Sequence, residues 1–246
     1  MGINLHQDLI NQNHEYWNRK HLLQMVYRDF YQFIAAHLSK LQDKKIVELG
    51  SGLGNIHEVI PDCVRTDLFL YPWIDQIENA YKLSFADESV SDLILTDVFH
   101  HLKYPGTALN ELYRALRKGG RVIMLEPCMS ALGLLVYGAF HVEPVAVTKK
   151  IEWFAPEGWS AENIDYYAAQ GNATRIFVGK GYQSNLKNWK TVETIRLSAI
   201  AYAASGGYSK PQFYPTSLLP LIKKVEKGLD VFPALFATRL LVILEK

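Results

Sequence analysis

The chain reads as an α/β protein, a doubly wound and mostly parallel sheet with helices on both faces, and three observations carry that reading. Stretches with strand propensity alternate with stretches of helical periodicity between about Leu22 and Glu126, as consecutive strand–helix units do. Ser91–Asp97 is apolar in its middle, the signature of a strand covered on both faces. An earlier apolar run, Lys45–Leu49, opens directly into Gly50-Ser51-Gly52-Leu53-Gly54, where glycines spaced by two let the backbone turn sharply beneath a ligand.

The elements follow in order. Leu23, Val26, Tyr27, Phe30, Phe33, Ile34, Leu38 and Leu41 recur at three- and four-residue spacing, predicting one N-terminal amphipathic helix from Leu22 to Leu41, extended back through Tyr16 and Trp17. After the glycine loop, a short helix from about Leu53 stops at Pro61, because proline cannot continue a helix. Cys63–Asp67 reads as a second strand, and the connection from Leu68 to Ile77 leaves room for a turn or two at most. Ser91–Asp97 leads into Val98-Phe99-His100-His101-Leu102, read as an extended loop in which consecutive side chains face opposite ways. Thr107 suits an N-cap, Leu109, Leu112, Tyr113 and Leu116 give the helical stripe, and Gly119-Gly120 closes that helix. Arg121–Glu126 is the next strand, stopped by Pro127.

From Cys128 to about Trp189 the alternation lapses, and the segment carries Tyr137, Phe140, Trp153, Phe154, Trp159, Tyr166, Tyr167, Phe177, Tyr182 and Trp189. It reads as an aromatic-rich insertion, residues 128–190, of the kind that forms lids or substrate walls at the carboxyl edge of an α/β sheet. Most of these rings are expected to serve the insertion's own core. Thr191–Ala203, Ser217–Leu229 and Phe236–Leu244 complete the chain as strand, helix and strand.

Composition narrows the partners. With 246 residues, 49% hydrophobic and 21% charged, the chain is an ordinary globule, read as one domain over 1–246. The formal net charge of +1 gives no footprint for nucleic acid. Cys63 and Cys128 are too few for a disulfide framework and lack metal-ligand spacing, so a reducing cytoplasm and no metal are expected. The longest apolar stretch, Ala131 to Phe140, falls far short of the ~20 residues of a membrane span, and no signal pattern opens the chain. The expectation is a soluble, unprocessed monomer or homodimer acting on a small molecule.

Glu48 to Gly54, Asp67, Asn79-Ala80-Tyr81-Lys82-Leu83-Ser84-Phe85, Asp92 to Leu102, and Arg114-Ala115-Leu116-Arg117-Lys118-Gly119-Gly120-Arg121 stand in one order. Together they resemble the class I S-adenosylmethionine (SAM) dependent methyltransferases, near the bacterial small-molecule branch. The resemblance covers residues 44–127, the cofactor-binding half. It implies a Rossmann-like sheet of seven strands, the last antiparallel and inserted between the fifth and sixth, with the aromatic insertion between strands five and six. It also implies that Gly50, Ser51, Gly52 and Gly54 lie against the methionine tail of SAM and that Glu48 orients the loop and the bound amino group. Asp67, beside Leu68, would take the ribose hydroxyls, and Ala80 would meet the adenine ring. Asp97 and Val98 would border the reacting methyl. Asn79 departs from the aspartate usual in that family, accepting from the adenine amino group with less charge assistance. For Asp67 the competing reading is a cap or turn, and for Asp97 a purely structural acid.

Methyl transfer needs an acceptor atom in line behind the sulfonium carbon, and an acceptor bearing a proton needs a base, for which histidine is suited. His101 is the first candidate and His141 the second. The competing reading is that the His100-His101 doublet only holds its loop. Phe140-His141-Val142-Glu143-Pro144 offers a hinge or acceptor contact, and Ser205-Gly206-Gly207-Tyr208-Ser209 a second acceptor-facing loop or a plain turn. The leading expectation is an enzyme moving a methyl from SAM to oxygen or nitrogen of a small or lipid-like acceptor, leaving S-adenosylhomocysteine. The alternative is a catalytically silent protein of the same fold that binds through its aromatic insertion. An NAD-dependent oxidoreductase fits the glycine spacing poorly, since the dinucleotide loop separates its last two glycines by two residues.

Overall fold

A computed structural model describes residues 3–141, 143–162 and 166–246; Val142 and the insertion residues 163–165 lie outside them. Seven strands form one sheet: β1 Ile46–Leu49, β2 Val64–Asp67, β3 Gln76–Ile77, β4 Val90–Thr96, β5 Leu116–Pro127, β6 Lys190–Leu197 and β7 Arg239–Glu245. Their spatial order is β3-β2-β1-β4-β5-β7-β6. β1 to β5 pair in parallel, while β7 runs antiparallel between β5 and β6. This is the seven-stranded, mostly parallel arrangement expected from the sequence. Among the described residues, no helix is long and apolar enough to cross a membrane.

Both faces of the sheet are buried, and the period-two alternation of side chains sorts them. Val47, Leu49, Leu93, Leu95, Val122, Met124, Leu240, Val242 and Leu244 pack on one side with Leu109 and Leu112 of α3 (Pro105–Ala115). Ile94, Ile123, Leu125, Leu241 and Ile243 pack on the other with Leu23, Val26, Phe30 and Ile34.

Several element boundaries differ from the sequence reading, each for a local reason. The N-terminal helix is two, α1 Ile3–Arg19 and α2 His21–Ala35, because the chain bends at Lys20. The Lys20 ammonium is turned inward onto the carbonyls of Ser205, Gly207 and Lys210. The first two carbonyls belong to the second loop read as acceptor-facing, Ser205–Ser209, which is thereby held against the helix break. After the glycine loop only a 3-10 turn, Asn55–Glu58, forms. Pro105, not Thr107, opens α3, and the Thr107 hydroxyl instead accepts from the Ala155 amide at 2.9 Å. Helix α3 ends at Ala115, so Gly119-Gly120 sit inside β5. A Cβ on Gly120 would lie 2.7 Å from the Ser91 carbonyl oxygen, so glycine lets the neighbouring strand close in. The sixth strand stops at Leu197 and gives way to α5 Ile200–Ala204. Phe236 closes a short helix rather than opening β7.

Among its described residues the insertion holds the helix α4 Ala131–Phe140, a π-helical turn over Thr174–Val178 and a 3-10 turn over Gln183–Leu186. Much of the rest folds back onto the sheet's flank. Trp153 packs over Gly106, its carbonyl accepting from the Gly106 amide at 2.8 Å. Trp159 meets Tyr81 and Tyr104 edge-on, and Phe177 packs on Phe99.

Candidate active site at the carboxyl edge of the sheet

The carboxyl ends of β1, β2 and β4 lie side by side, and their loops converge there. Gly50, Gly52 and Gly54 all adopt left-handed φ, at 68°, 53° and 70°, a conformation that costs other residues about 1–2 kcal/mol. A Cβ on Gly50 would lie 2.5 Å from Val98 Cγ2, whereas one on Gly52 would meet nothing within 4 Å. Gly50 is therefore glycine so that the β4 loop can close against it, and Gly52 turns a bare backbone toward open space. Ser51 stitches the loop to β2: its amide donates to the Thr66 carbonyl at 2.8 Å and its hydroxyl accepts from the Thr66 amide at 3.1 Å.

Asp67 reaches across from the end of β2 and accepts from the Gly52 amide at 3.0 Å. The Trp73 indole donates to the Gly52 carbonyl at 2.8 Å and stacks between His14 and Tyr71. Leu68, just past Asp67, is largely exposed. Glu48 is buried, and its Oε2 has no hydrogen-bond partner. Burial pushes the Glu48 carboxyl up to about 8. An orphaned carboxylate oxygen beneath a glycine turn suits a ligand with an ammonium group, as the methionine tail of SAM has.

Asn79 is engaged at both ends, donating to the Ala161 carbonyl at 2.8 Å and accepting from the Tyr81 amide at 3.0 Å. Its acceptor oxygen is thus shared with the backbone, and its amide ties the edge beside Ala80 to the insertion.

Asp97, just beyond β4, also has a left-handed φ, 57°. It forms a bidentate pair with Arg239 of β7, at 2.5 and 2.9 Å. Arg239 is fully buried and lies over the rings of Phe30 and Tyr202. Burial works against its charge, and Asp97 more than offsets this, holding the guanidinium well above its ordinary pKa. The first duty of Asp97 in the fold is this pair.

The loop after β4 is not extended, as the sequence reading expected, but forms a 3-10 turn over Phe99–His101. The consecutive histidines therefore both face Glu143. His100 Nε2 is 3.2 Å from Glu143 Oε2, and His101 Nε2 is 3.4 Å from Oε1. Behind His100, Nδ1 contacts Glu126 at 2.6 Å. Glu126 is buried at the end of β5 and accepts from the Val98, Phe99 and His100 amides. Burial lowers the His100 pKa, but Glu126 and Glu143 outweigh it and push it up to about 10. Burial, helped by the charge of His100, pushes His101 down. Although burial opposes it, hydrogen bonding to His100 holds the Glu143 carboxyl well below the usual range.

The His101 Nδ1 lies 2.8 Å from the Tyr167 carbonyl; a carbonyl only accepts, so Nδ1 carries the hydrogen and Nε2 presents a lone pair. His141 is the reverse. Its Nδ1 accepts from the Glu143 amide and the Gln170 side chain, so Nε2 carries the hydrogen and offers a donor. Burial pushes its pKa down. The structure thus brings His101 and His141 to one carboxylate with opposite faces. Glu126, Trp73 and Arg239 were missed as site residues in the sequence reading, and Glu143 was read only as part of the Phe140–Pro144 hinge or acceptor contact. The acid just before Pro127 and the lone cation heading an apolar last strand were the available signals.

Residues 47–124 match a family described as a methyltransferase domain. The chain is also 35% identical over 95 residues to a protein named probable polyketide synthase 10 from Dictyostelium discoideum, an alignment spanning 37% of this chain and 4% of that protein. Among solved structures it is similar to a SAM-dependent methyltransferase from Archaeoglobus fulgidus, with 10% identity, a TM-score of 0.54, and 91% and 94% of the two chains covered. It is similar to a possible histamine N-methyltransferase from Thermotoga maritima, with 14% identity, a TM-score of 0.54, and 97% and 99% covered. A geranyl diphosphate C-methyltransferase from Streptomyces coelicolor, solved with S-adenosylhomocysteine, aligns at 12% identity and a TM-score of 0.50, over 88% and 78% of the chains. At these identities the likeness is one of fold.

Proposed function

We propose that this chain, whose residues 47–124 match a methyltransferase domain and whose fold is that of SAM-dependent methyltransferases, transfers a methyl group from SAM to oxygen or nitrogen of a small-molecule acceptor. The observation that supports this most directly is the pairing of Gly52, its Cβ direction open, with the orphaned Oε2 of Glu48. Bound SAM supplies an electrophilic methyl on a sulfonium. Glu48 holds the amino group of the cofactor, Gly50, Ser51, Gly52 and Gly54 let its tail approach the backbone, and Asp67 with Leu68 lies toward the ribose. Asn79 and Ala80 border the adenine. Val98, with Asp97, borders the reacting centre. Asp97 also neutralises Arg239, which keeps an uncompensated cation from the place where a sulfonium must sit.

For an acceptor that must lose a proton, His101 is better suited than His141, because its Nε2 presents a lone pair and the exposed ring nitrogen of His141 a donor. The insertion packed over Tyr81 and Tyr104 forms the acceptor wall. The working assignment is a cytoplasmic monomer or homodimer that does not act on nucleic acid.

Thermal unfolding with SAM, S-adenosylhomocysteine and NAD tests the reading, since a ligand selective for the native state stabilises it. SAM and its product should raise the midpoint and NAD should not. A midpoint indifferent to both adenosyl ligands would sink it, and a shift without turnover in an acceptor screen would favour a silent binding protein.

A further inference from the structure

We infer that His100, His101 and Glu143 form a binding site for one divalent transition-metal ion of the zinc class. The ligand atoms of these three side chains lie within 4.8 Å of one another. The sequence reading expected no metal, because it looked for cysteine spacing and these ligands come from segments 43 residues apart in sequence.

The hydrogen bonds behind the cluster are those that prepare histidines as ligands. Metal-bound histidine donates its other ring N–H to a carboxylate or backbone carbonyl. His100 directs Nδ1 at Glu126, and His101 directs Nδ1 at the Tyr167 carbonyl. Both Nε2 atoms are thereby aimed at one carboxylate. Glu143 is in turn oriented from outside by donors from Tyr166 at 3.0 Å and Gln170 at 2.9 Å.

The spacing agrees. Ligands about 2.0–2.2 Å from a tetrahedral ion lie roughly 3.3–3.6 Å apart; His100 Nε2 is 3.2 Å from Glu143 Oε2 and His101 Nε2 3.4 Å from Oε1, so each imidazole stands near ligand spacing from one oxygen of the same carboxylate. Two imidazoles with one carboxylate favour zinc, iron, cobalt or manganese over magnesium or calcium, which prefer all-oxygen sets. The His100 side chain is 4% exposed, Glu143 18% and His101 32%. The site is therefore walled on one side and open on the other, where a water or an acceptor oxygen can complete the shell. An ion here joins the β4 loop to the insertion.

The ion takes the lone pair otherwise available to receive a proton. With His101 so engaged, a bound ion would act in place of a base: it would lower the pKa of an acceptor hydroxyl in its open position, the proton leaving to solvent water, and the methyl-donor reading stands unchanged.

The experiment uses the untagged full chain, stripped with a chelator and titrated with zinc chloride by calorimetry, and with cobalt chloride followed by visible absorption. One equivalent should bind, and cobalt should give the intense visible band of a low-coordinate nitrogen and oxygen site. His101→Ala and Glu143→Gln lie at the part-exposed rim and should keep the native far-ultraviolet spectrum while weakening zinc by at least ~10-fold. Glu126→Gln should weaken it through His100 by about 10–100-fold. Absence of stoichiometric uptake by the native chain, or native affinity in either rim variant, overturns the proposal. A thermal shift with S-adenosylhomocysteine on the stripped protein reports separately on the methyl-donor reading.

Discussion

Asp97 and Arg239 meet in a bidentate ion pair, at 2.5 and 2.9 Å, that joins the end of β4 to the start of β7. The antiparallel last strand brings its first residue to the same edge as the carboxyl ends of the parallel strands, so a cation remote in sequence lands beside the cofactor loop. Breaking a buried pair from one side leaves an uncompensated charge and costs about 3–5 kcal/mol, whereas replacing both members can be close to neutral. Asp97→Ala should therefore destabilise more than Asp97→Ala combined with Arg239→Met. Urea unfolding of the two variants checks the order.

Gly52→Val should abolish S-adenosylhomocysteine binding and leave the protein folded. The new side chain enters open space, so it meets ligand rather than protein, and its left-handed φ adds strain of about 1–2 kcal/mol. Calorimetry on the folded variant showing native affinity would contradict this.

Gly106→Ala attacks a different contact. A Cβ there would lie 2.1 Å from the Trp153 indole nitrogen, so either the indole or the helix start must move. Overpacking of this kind costs about 1–3 kcal/mol. The variant should lose that much stability, with Trp153 fluorescence shifting as the insertion is pushed off α3. An unchanged melting temperature and emission would show that the insertion yields freely.

Glu48 makes stability depend on pH. Burial raises its folded pKa to about 8 from an ordinary value of 4.5, so the native state holds its proton more tightly than the unfolded chain. Its stabilising contribution is complete below about pH 4.5 and is lost as pH rises toward 8. The ligand-free protein should thus lose stability over that window relative to Glu48→Gln, which cannot titrate there. Ammonium binding favours the ionised carboxylate, so affinity for S-adenosylhomocysteine should rise with pH over the same range. Thermal unfolding and calorimetry at stepped pH read the two trends.

Ser91–Asp97, Lys45–Leu49 and the glycine loop were legible because their signals are local: apolar continuity for burial, and glycine wherever the backbone must turn left-handed. The order of Glu48–Gly54, Asp67, Asn79–Phe85, Asp92–Leu102 and Arg114–Arg121 along the chain was enough to suggest, through a family resemblance, the seven-stranded sheet and its methyl donor. Helix ends were less legible, since the bend at Lys20 depends on carbonyls of residues 205–210, and Leu116 enters β5 by pairing with Val90.

The sequence by itself therefore determined the alternation of elements, their burial and the loop at the sheet's edge, because each follows from contacts within a few residues. Only the tertiary structure decided what the acids and histidines face. Arg239 neutralises Asp97 across the sheet, Glu126 fixes the ring of His100, and a single 3-10 turn aims both histidines at Glu143. Side chains distant along the chain interact strongly once burial removes water from between them, and no local pattern records which of them will meet.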